Sequence, residues 1–402
     1  MSTPVTTEVI AELAPGLLQN SIDQRIVKVR PMSTPIDQLS RCAGSRKADA
    51  MKVEYYSVDT KSTETTFLRA QGGGGVRRSE EMFVYRIYTA DDTIFEATET
   101  LLLPAVKGGD GNPLVLYVAG RSAEGGLDVS PVNGVYDEME EVYTLPDIAV
   151  GSKIIRMGRA ATELDVQTAQ FTSLPKKSNN NCQIFKMQVE QSTLAKIARK
   201  EVGWNFSDQE EAAIIDMRLG MEKNFLFGKR HCLFDSTKNE NIYFTGGIWN
   251  QTDEEMEVKL TTLNESTLIS LCAKAFTGNN GSKRKILIAG TALMEALSKI
   301  TFTKMLSSGE TMVKWGVEFK EICSNFGSLY VLHSEVFDQC GHKRDGFILD
   351  PEYMTKYVHV PFQAEKLDLR KSGQRNTDAV VLTEASCLVL RYPKSHLKVI
   401  GI

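Results

Sequence analysis

The chain has 402 residues, 42% hydrophobic and 24% charged, with 47 Lys and Arg against 51 Asp and Glu for a net charge of −4. That length suits about two to three domains of ~150 residues with a substantial core. The slight acidic excess argues against a surface that wraps nucleic acid, and no run approaches the ~18 apolar residues of a membrane span. The seven cysteines, Cys42, Cys182, Cys232, Cys272, Cys323, Cys340 and Cys387, lack paired spacing and read as reduced thiols in a cytoplasm. Glu8 and Glu12 near the start do not fit a secretory signal.

Residues 1–50 carry Pro4, Pro15, Pro31 and Pro35, which break any long helix. From Ile22 to Leu39, apolar and basic residues alternate as in an extended arm. Residues 51–183 read as a β-rich insertion. In its clearest strand Met82, Val84, Arg86 and Tyr88 lie on one side and Phe83, Tyr85, Ile87 and Thr89 on the other. Further strands are predicted at Leu114–Ala119, Lys153–Met157 and Gln183–Val189, with turns at Gly108–Pro113 and Glu124–Gly126 supplying positive φ. The run Gly72–Gly75 lacks the following Lys-Ser/Thr and helix of a phosphate loop, and reads as a hinge or loop tip.

A long helix is predicted from Ser207, as N-cap with Glu210 three residues on, to about Arg230, with Ile214, Met217, Met221 and Phe225 on its core face. Asn264 caps a second helix through Leu268, Leu271, Cys272, Ala275 and Phe276. The unbroken apolar run Ile286–Ala289 is typical of a buried central strand. A helical stretch through Leu293, Met294, Leu297 and Ile300 follows it. Strands are then expected at Leu329–Leu332, Phe347–Leu349, Lys356–Val360, Ala379–Leu382 and Cys387–Arg391.

The closing phrase Thr383–His396, the arm phrase Thr34–Leu39, the phrase Lys52–Tyr55 and the strand Asn181–Phe185 follow one another in an order that resembles the major capsid proteins of tailed double-stranded DNA bacteriophages. The resemblance implies an α+β fold of the Hong Kong 97 type. Its parts would be an N-terminal arm (1–50), a β-rich extended loop (51–183), a peripheral domain (184–260) holding the spine helix 207–230, an α/β axial domain (261–375), and C-terminal strands (376–402) returning to the peripheral domain. The implied function is self-assembly into an icosahedral head that encloses the genome without sequence-specific binding. The implied partners are other copies in hexamers and pentamers, a portal protein at one vertex, and scaffolding, protease and decoration proteins. Residues 1–50 are short for a fused scaffolding domain, so a separate scaffold, or none, is expected. An encapsulin-like nanocompartment shell shares the implied fold; a β-rich carbohydrate-binding or adhesion protein would explain only residues 51–183.

Catalytic, cofactor and metal residues are not expected. The five histidines, His231, His333, His342, His359 and His396, form no zinc-type pairs, and Cys340-Gly341-His342 lacks a second pair at fixed spacing. His231 reads as a cation at the C-terminus of the long helix, and Asp91-Asp92 and Glu140-Glu141 as solvated acids. No nucleophile elbow, H-E-x-x-H or Walker loop is present. The expected inter-subunit contacts are an acidic edge of Glu138, Glu140 and Glu141 meeting basic clusters Arg77, Arg78 and Lys176, Lys177.

Overall fold

The computed structural model describes residues 34–42, 44–58, 62–71, 75–79, 82–123, 125–139, 141–163, 175–198, 205–278, 281–300, 307–314, 317–371, 373 and 375–402. The described residues up to Ser57 and from Lys177 onward form one compact unit, and those of 58–176 form a second, inserted unit. The insertion is narrower than the expected 51–183 because β2 (Lys52–Ser57) pairs with β12 (Lys176–Asn181). Most of the expected arm, and Gly72–Gly74, lie outside the described residues.

In the inserted unit the strands are β3 (Glu64–Ala70), β4 (Val76–Ser79), β5 (Met82–Thr89), β6 (Glu99–Lys107), β7 (Pro113–Arg121), β8 (Leu127–Pro131), β9 (Val135–Asp137), β10 (Val142–Thr144) and β11 (Lys153–Arg159). Six of them follow the order β3-β11-β6-β7-β8-β5, and β5 pairs back onto β3, so the sheet closes on itself. Period-2 alternation turns Leu101, Leu103, Leu114, Leu116, Val118, Leu127 and Val129 into a fully buried interior. On β5 it is the Ile87 and Thr89 side that is buried, while Arg86 on the opposite side binds Asp128 at 2.8 Å. Gly111, Gly125 and Gly126 have the positive φ the sequence requires of them. Asp92 is not simply a solvated acid: its carboxylate accepts from Thr89 N, Thr89 Oγ1 and Gly126 N, pinning a turn.

In the other unit β13 (Gln183–Ser192), β22 (Met354–Asp368) and β23 (Thr377–Leu390) build an antiparallel sheet, with β1 (Ser45–Lys47) parallel to β22 at its edge. Ala379–Leu382 and Cys387–Arg391, expected as two strands, fall in one 14-residue strand β23, which ends at Leu390. The polar phrase between them reads as a break, yet Glu384 and Ser386 are buried, and the Ser386 hydroxyl donates to the Glu384 carboxylate.

A seven-stranded mixed sheet holds β16 (Glu255–Val258), β24 (Leu397–Gly401), β21 (Gly346–Leu349), β17 (Arg284–Ala289), β20 (Gly327–His333), β19 (Val317–Ser324) and β18 (Ser307–Lys314) in that order. Within residues 376–402, β23 lies in the four-stranded sheet, and β24 is drawn into the seven-stranded one by its pairings with β16 and β21. The central strand β17 sends Ile286 and Ile288 into one core and Leu287 and Ala289 into another. Both faces are covered, which accounts for its continuous apolar run.

The helices are α1 (Pro35–Cys42), α2 (Thr193–Ile197), α3 (Phe206–Phe227), α4 (Glu265–Phe276), α5 (Thr291–Ser298) and α6 (Glu335–Gln339). Helix α4 is capped by Asn264, whose carboxamide oxygen accepts from Thr267 N at 2.9 Å. Helix α3 starts two residues earlier than expected: Asn205, not Ser207, is the N-cap, and the Asp208 carboxylate accepts the Asn205 N–H at 2.8 Å. The helix stops at Phe227, short of Arg230, because Gly228 leaves helical geometry at ψ 150°. Its 22 residues span about 33 Å.

Residues 35–42, expected to be extended, form a helix instead. Pro35 sits at its first position, where the missing N–H costs nothing. The Ile36 and Asp37 N–H groups donate to Glu222 of α3 at 2.9 and 2.7 Å, so a side chain of the long helix caps the short one. Ile36 and Leu39 join the core of Met217, Met221, Phe225, Leu382 and Leu388.

Around this junction lies a buried charge network. Lys356 Nζ is 3.2 Å from Asp37 Oδ1 and 2.8 Å from Glu384 Oε1. Arg218 Nη1 is 3.1 Å from Glu384 Oε2 and 3.6 Å from Asp37 Oδ2. Asp37, Glu384 and Lys356 are 0–3% exposed. Asp37 and Glu384 thus share the buried Lys356 and the part-buried Arg218, and Arg41 Nη2 adds a pair to Asp37 Oδ2 at 2.8 Å, with Glu222 as the third acid of the junction. Burial raises its pKa to about 8, although the Ile36 and Asp37 N–H groups work the other way.

Two outcomes follow from this network. Replacing Lys356 by Met should destabilise the chain by about 3–5 kcal/mol in guanidinium unfolding, because two buried carboxylates lose their shared cation. For Glu222 the folded pKa of about 8 lies above the ordinary carboxyl value of 4.5, so its stabilising effect is full below about 4.5 and is lost as pH rises through 8. Unfolding free energy should therefore fall with pH across that window more steeply in the wild type than in Glu222→Gln, by up to ~1.4 kcal/mol per pH unit.

Candidate functional site

Among the described residues no group of three or more His, Cys, Asp or Glu side chains could hold a metal ion. His342 stacks on Phe227 with centroids 4.4 Å apart, and its Nδ1 lies 2.7 Å from Asp345 Oδ2. His333 Nε2 faces Thr291 Oγ1 at 3.1 Å. These rings serve packing and local hydrogen bonding. His231 is not at a helix end: it opens strand β14 (His231–Asp235), opposite Phe244 of β15 (Glu240–Phe244).

The expected contact residues fall in different settings. Arg77 and Arg78 are exposed on β4, which among the described residues pairs with β5 alone, beside the closed barrel. Arg77 lies over the Phe83 ring at 5.7 Å, and Arg78 Nη1 reaches Ala119 O at 3.5 Å. Charged side chains on an open edge keep it soluble until a chosen partner arrives. Glu138 and Glu141 are exposed beyond β9, Glu141 at the positive φ of 52°; Glu140 lies outside the described residues. Lys176 is exposed at the start of β12. Lys177 is committed within its own chain, with Nζ 2.5 Å from Glu54 Oε2. The hydrogen bond to Lys177 holds the Glu54 carboxyl below its ordinary range, and Lys177 is raised in return.

Two surface features escape charge-based reading. The ribbon β9–β10 presents Tyr136 directly opposite Tyr143, ring centroids 5.4 Å apart, with both rings about half exposed and Met139 96% exposed at the connection. In the hairpin β14–β15, Leu233 stands opposite Ile242, and Phe234 on the other side is 61% exposed. The connection between these strands is closed by Asp235, whose Oδ1 accepts from Thr237 N at 2.9 Å, and by Asn239 at φ 55°. The signal in the sequence was Asp235-Ser236-Thr237-Lys238-Asn239, a polar turn between two short alternating segments. Two-stranded ribbons are marginal alone, and exposed apolar side chains clustered on them mark association surfaces.

A family model described as SU10 major capsid protein matches residues 2–402. No curated protein matches the chain. Among solved structures, the capsid of a native GTA particle computed with C5 symmetry is similar at 7% identity, covering 98% of this chain and 99% of that one, with TM-score 0.49. A Mycobacterium phage Bobi structure is similar at 8% identity over 100% and 99% of the two chains, TM-score 0.47. The holo-SrpI encapsulin of Synechococcus elongatus PCC 7942 is similar at 8% identity over 57% and 77%, TM-score 0.38.

If the two ribbons are association surfaces, their exposed side chains contribute little to the isolated subunit. Met139→Ser and Phe234→Ser should each change the unfolding free energy of the unassembled chain by less than ~0.5 kcal/mol in chemical denaturation. A larger loss would mean that these side chains pack within the subunit.

Proposed function

Because the chain belongs to the SU10 major capsid protein family, and is thus a self-associating shell protein of the phage head, we propose how its parts serve the lattice. The observation that carries this reading is the match of the capsid family to residues 2–402 of the chain. Copies form hexamers and pentamers of an icosahedral shell. Residues 1–50 act as an arm, the inserted unit as the extended loop, α3 as the spine of a peripheral domain, and the seven-stranded sheet as the axial domain. A portal protein occupies one vertex, scaffolding, protease and decoration proteins act during assembly in the host cytoplasm, and double-stranded DNA is enclosed without sequence-specific contacts. The role is structural, with no catalytic or cofactor residues.

The contacts combine two kinds of surface. The acidic edge Glu138, Glu140 and Glu141 meets Arg77, Arg78 and Lys176 of another copy. Lys177 supports this by holding Glu54 rather than by reaching outward, in keeping with the 2.5 Å pair inside the chain. Exposed ion pairs contribute only about 0–1 kcal/mol each, so they select register, while apolar side chains such as Tyr136, Met139 and Phe234 supply buried area. Heterologous contacts of this kind close around local rings.

Negative-stain electron microscopy with light scattering of the purified chain should give closed shells, tubes or six-membered rings. Particles that stay monomeric at every concentration and salt, even with the neighbouring gene products added, would overturn the reading. Reversing Arg77 and Arg78 to Glu should impair shell formation while leaving the circular dichroism and melting of the subunit unchanged; normal shells from that variant would remove the charge contact from the scheme. Phe234→Asp should likewise reduce closed particles with a folded subunit.

A further inference from the structure

Cys182 and Cys387 are far apart in sequence and adjacent in space. Gln183 of β13 pairs with Ser386 of β23, so Cys182, one residue earlier, stands opposite Cys387. The Cys182 N–H points away from β23 and donates to Met51 O at 2.6 Å. The two cysteines therefore form a non-hydrogen-bonded cross-strand pair, the kind in which Cα atoms approach to about 4.5 Å. That separation lies within the ~4.4–6.8 Å range of disulfides. The sulfurs are 3.6 Å apart, both thiols are free, and both side chains are fully buried.

We infer that Cys182 and Cys387 are a peroxide-responsive dithiol that closes to a cross-strand disulfide between β13 and β23. The two thiols are not equivalent. The hydrogen bond between them lowers the Cys182 pKa, and the same bond together with burial raises that of Cys387. Cys182 is accordingly the nucleophile and Cys387 keeps its proton. The Cys182 thiolate attacks one oxygen of hydrogen peroxide, giving a sulfenic acid and hydroxide. The Cys387 sulfur then attacks the Cys182 sulfur, the S–O bond breaks, and water leaves. In total two thiols and one peroxide give one disulfide and two waters.

Access requires local opening. The pair packs with Ala48, Val53 and Val389, and Met51, Tyr55 and Tyr357 lie against this cluster; Ala48, Met51, Val53 and Tyr55 come from the stretch that carries the short strands β1 and β2. Peroxide is little larger than the water that such segments admit on local opening. The other cysteines differ: Cys232 is exposed, whereas Cys272 is buried with its thiol pushed up by burial. The new bond would join residues 205 positions apart, and a shell leaving a reducing compartment would gain it without an enzyme.

The test uses the full-length chain, unassembled and as particles, treated with graded hydrogen peroxide, quenched, unfolded in guanidinium with N-ethylmaleimide and weighed intact. Expected are a loss of two maleimide adducts and a digest peptide joining Cys182 to Cys387, both reversed by dithiothreitol. The melting temperature should rise by about 5 °C. Cys387→Ser should abolish the linked peptide while Cys232 still oxidises. Because the linkage is mapped in the wild type, a misfolded variant leaves the test intact. Peroxide that oxidises Cys232 but leaves Cys182 and Cys387 both open to alkylation, or takes either to sulfinic acid unlinked, would overturn the inference.

Discussion

The structure of the larger unit turns on the charges buried where α1, α3, β22 and β23 meet. Taking Asp37, Glu384 and Lys356 out of water costs several kcal/mol per ion, and only close pairing with Lys356 and Arg218 offsets it. Such a network adds little net stability. Its effect is on which arrangement is allowed. A slip of β23 by one residue against its neighbours would turn Glu384 to the opposite face of the sheet, leaving Lys356 and Arg218 to share Asp37 alone. Undocking α1 would take Asp37 away and leave Glu222 without the two N–H groups it accepts. Four segments spread from Asp37 to Glu384 are thus tied together by ion pairs and hydrogen bonds that reach across all of them.

This constraint also explains where sequence reading succeeded and failed. The period-2 strand Met82–Thr89, the Asn264-capped helix and the apolar run of β17 were legible, because burial there follows from side chains of one chemical kind. The failures cluster at buried polar residues. Thr383–Ser386 looked like a gap between strands because Glu384 and Ser386 are polar, and only the partners Lys356 and Arg218, distant in sequence, make them interior residues. Residues 35–42 looked extended because an eight-residue helix opening on Pro35 has weak local support. Its cap comes from Glu222, which no window around Pro35 contains. The resemblance carried by Thr34–Leu39 held the right segment without disclosing its conformation.

The candidate contact residues were legible as charges and not as partners. Lys176 and Lys177 are neighbours in sequence and both exposed, yet Lys177 is paired with Glu54 of β2. Charge counting has no access to that difference, since it depends on which strand lies alongside. The apolar ribbons were missed for the opposite reason. Leu233, Phe234 and Ile242 resemble core residues in any window, and only the structure places them on a hairpin where they remain 42–61% exposed.

Those ribbons and the closed barrel address the same physical difficulty. A β-rich unit must leave few open edges or it pairs indiscriminately. Closure of β3 onto β5 removes the edges from six strands, and the one strand added to the barrel, β4, carries Arg77 and Arg78. Under the proposed contacts, association falls to short features: a charged four-residue edge, a tyrosine-bearing ribbon and an apolar hairpin. Each is too small to hold two subunits in isolation. A contact built from such parts is weak between two copies and gains force only when geometry lets several form at once, so that the shell closes cooperatively and wrong pairings come apart before they are trapped.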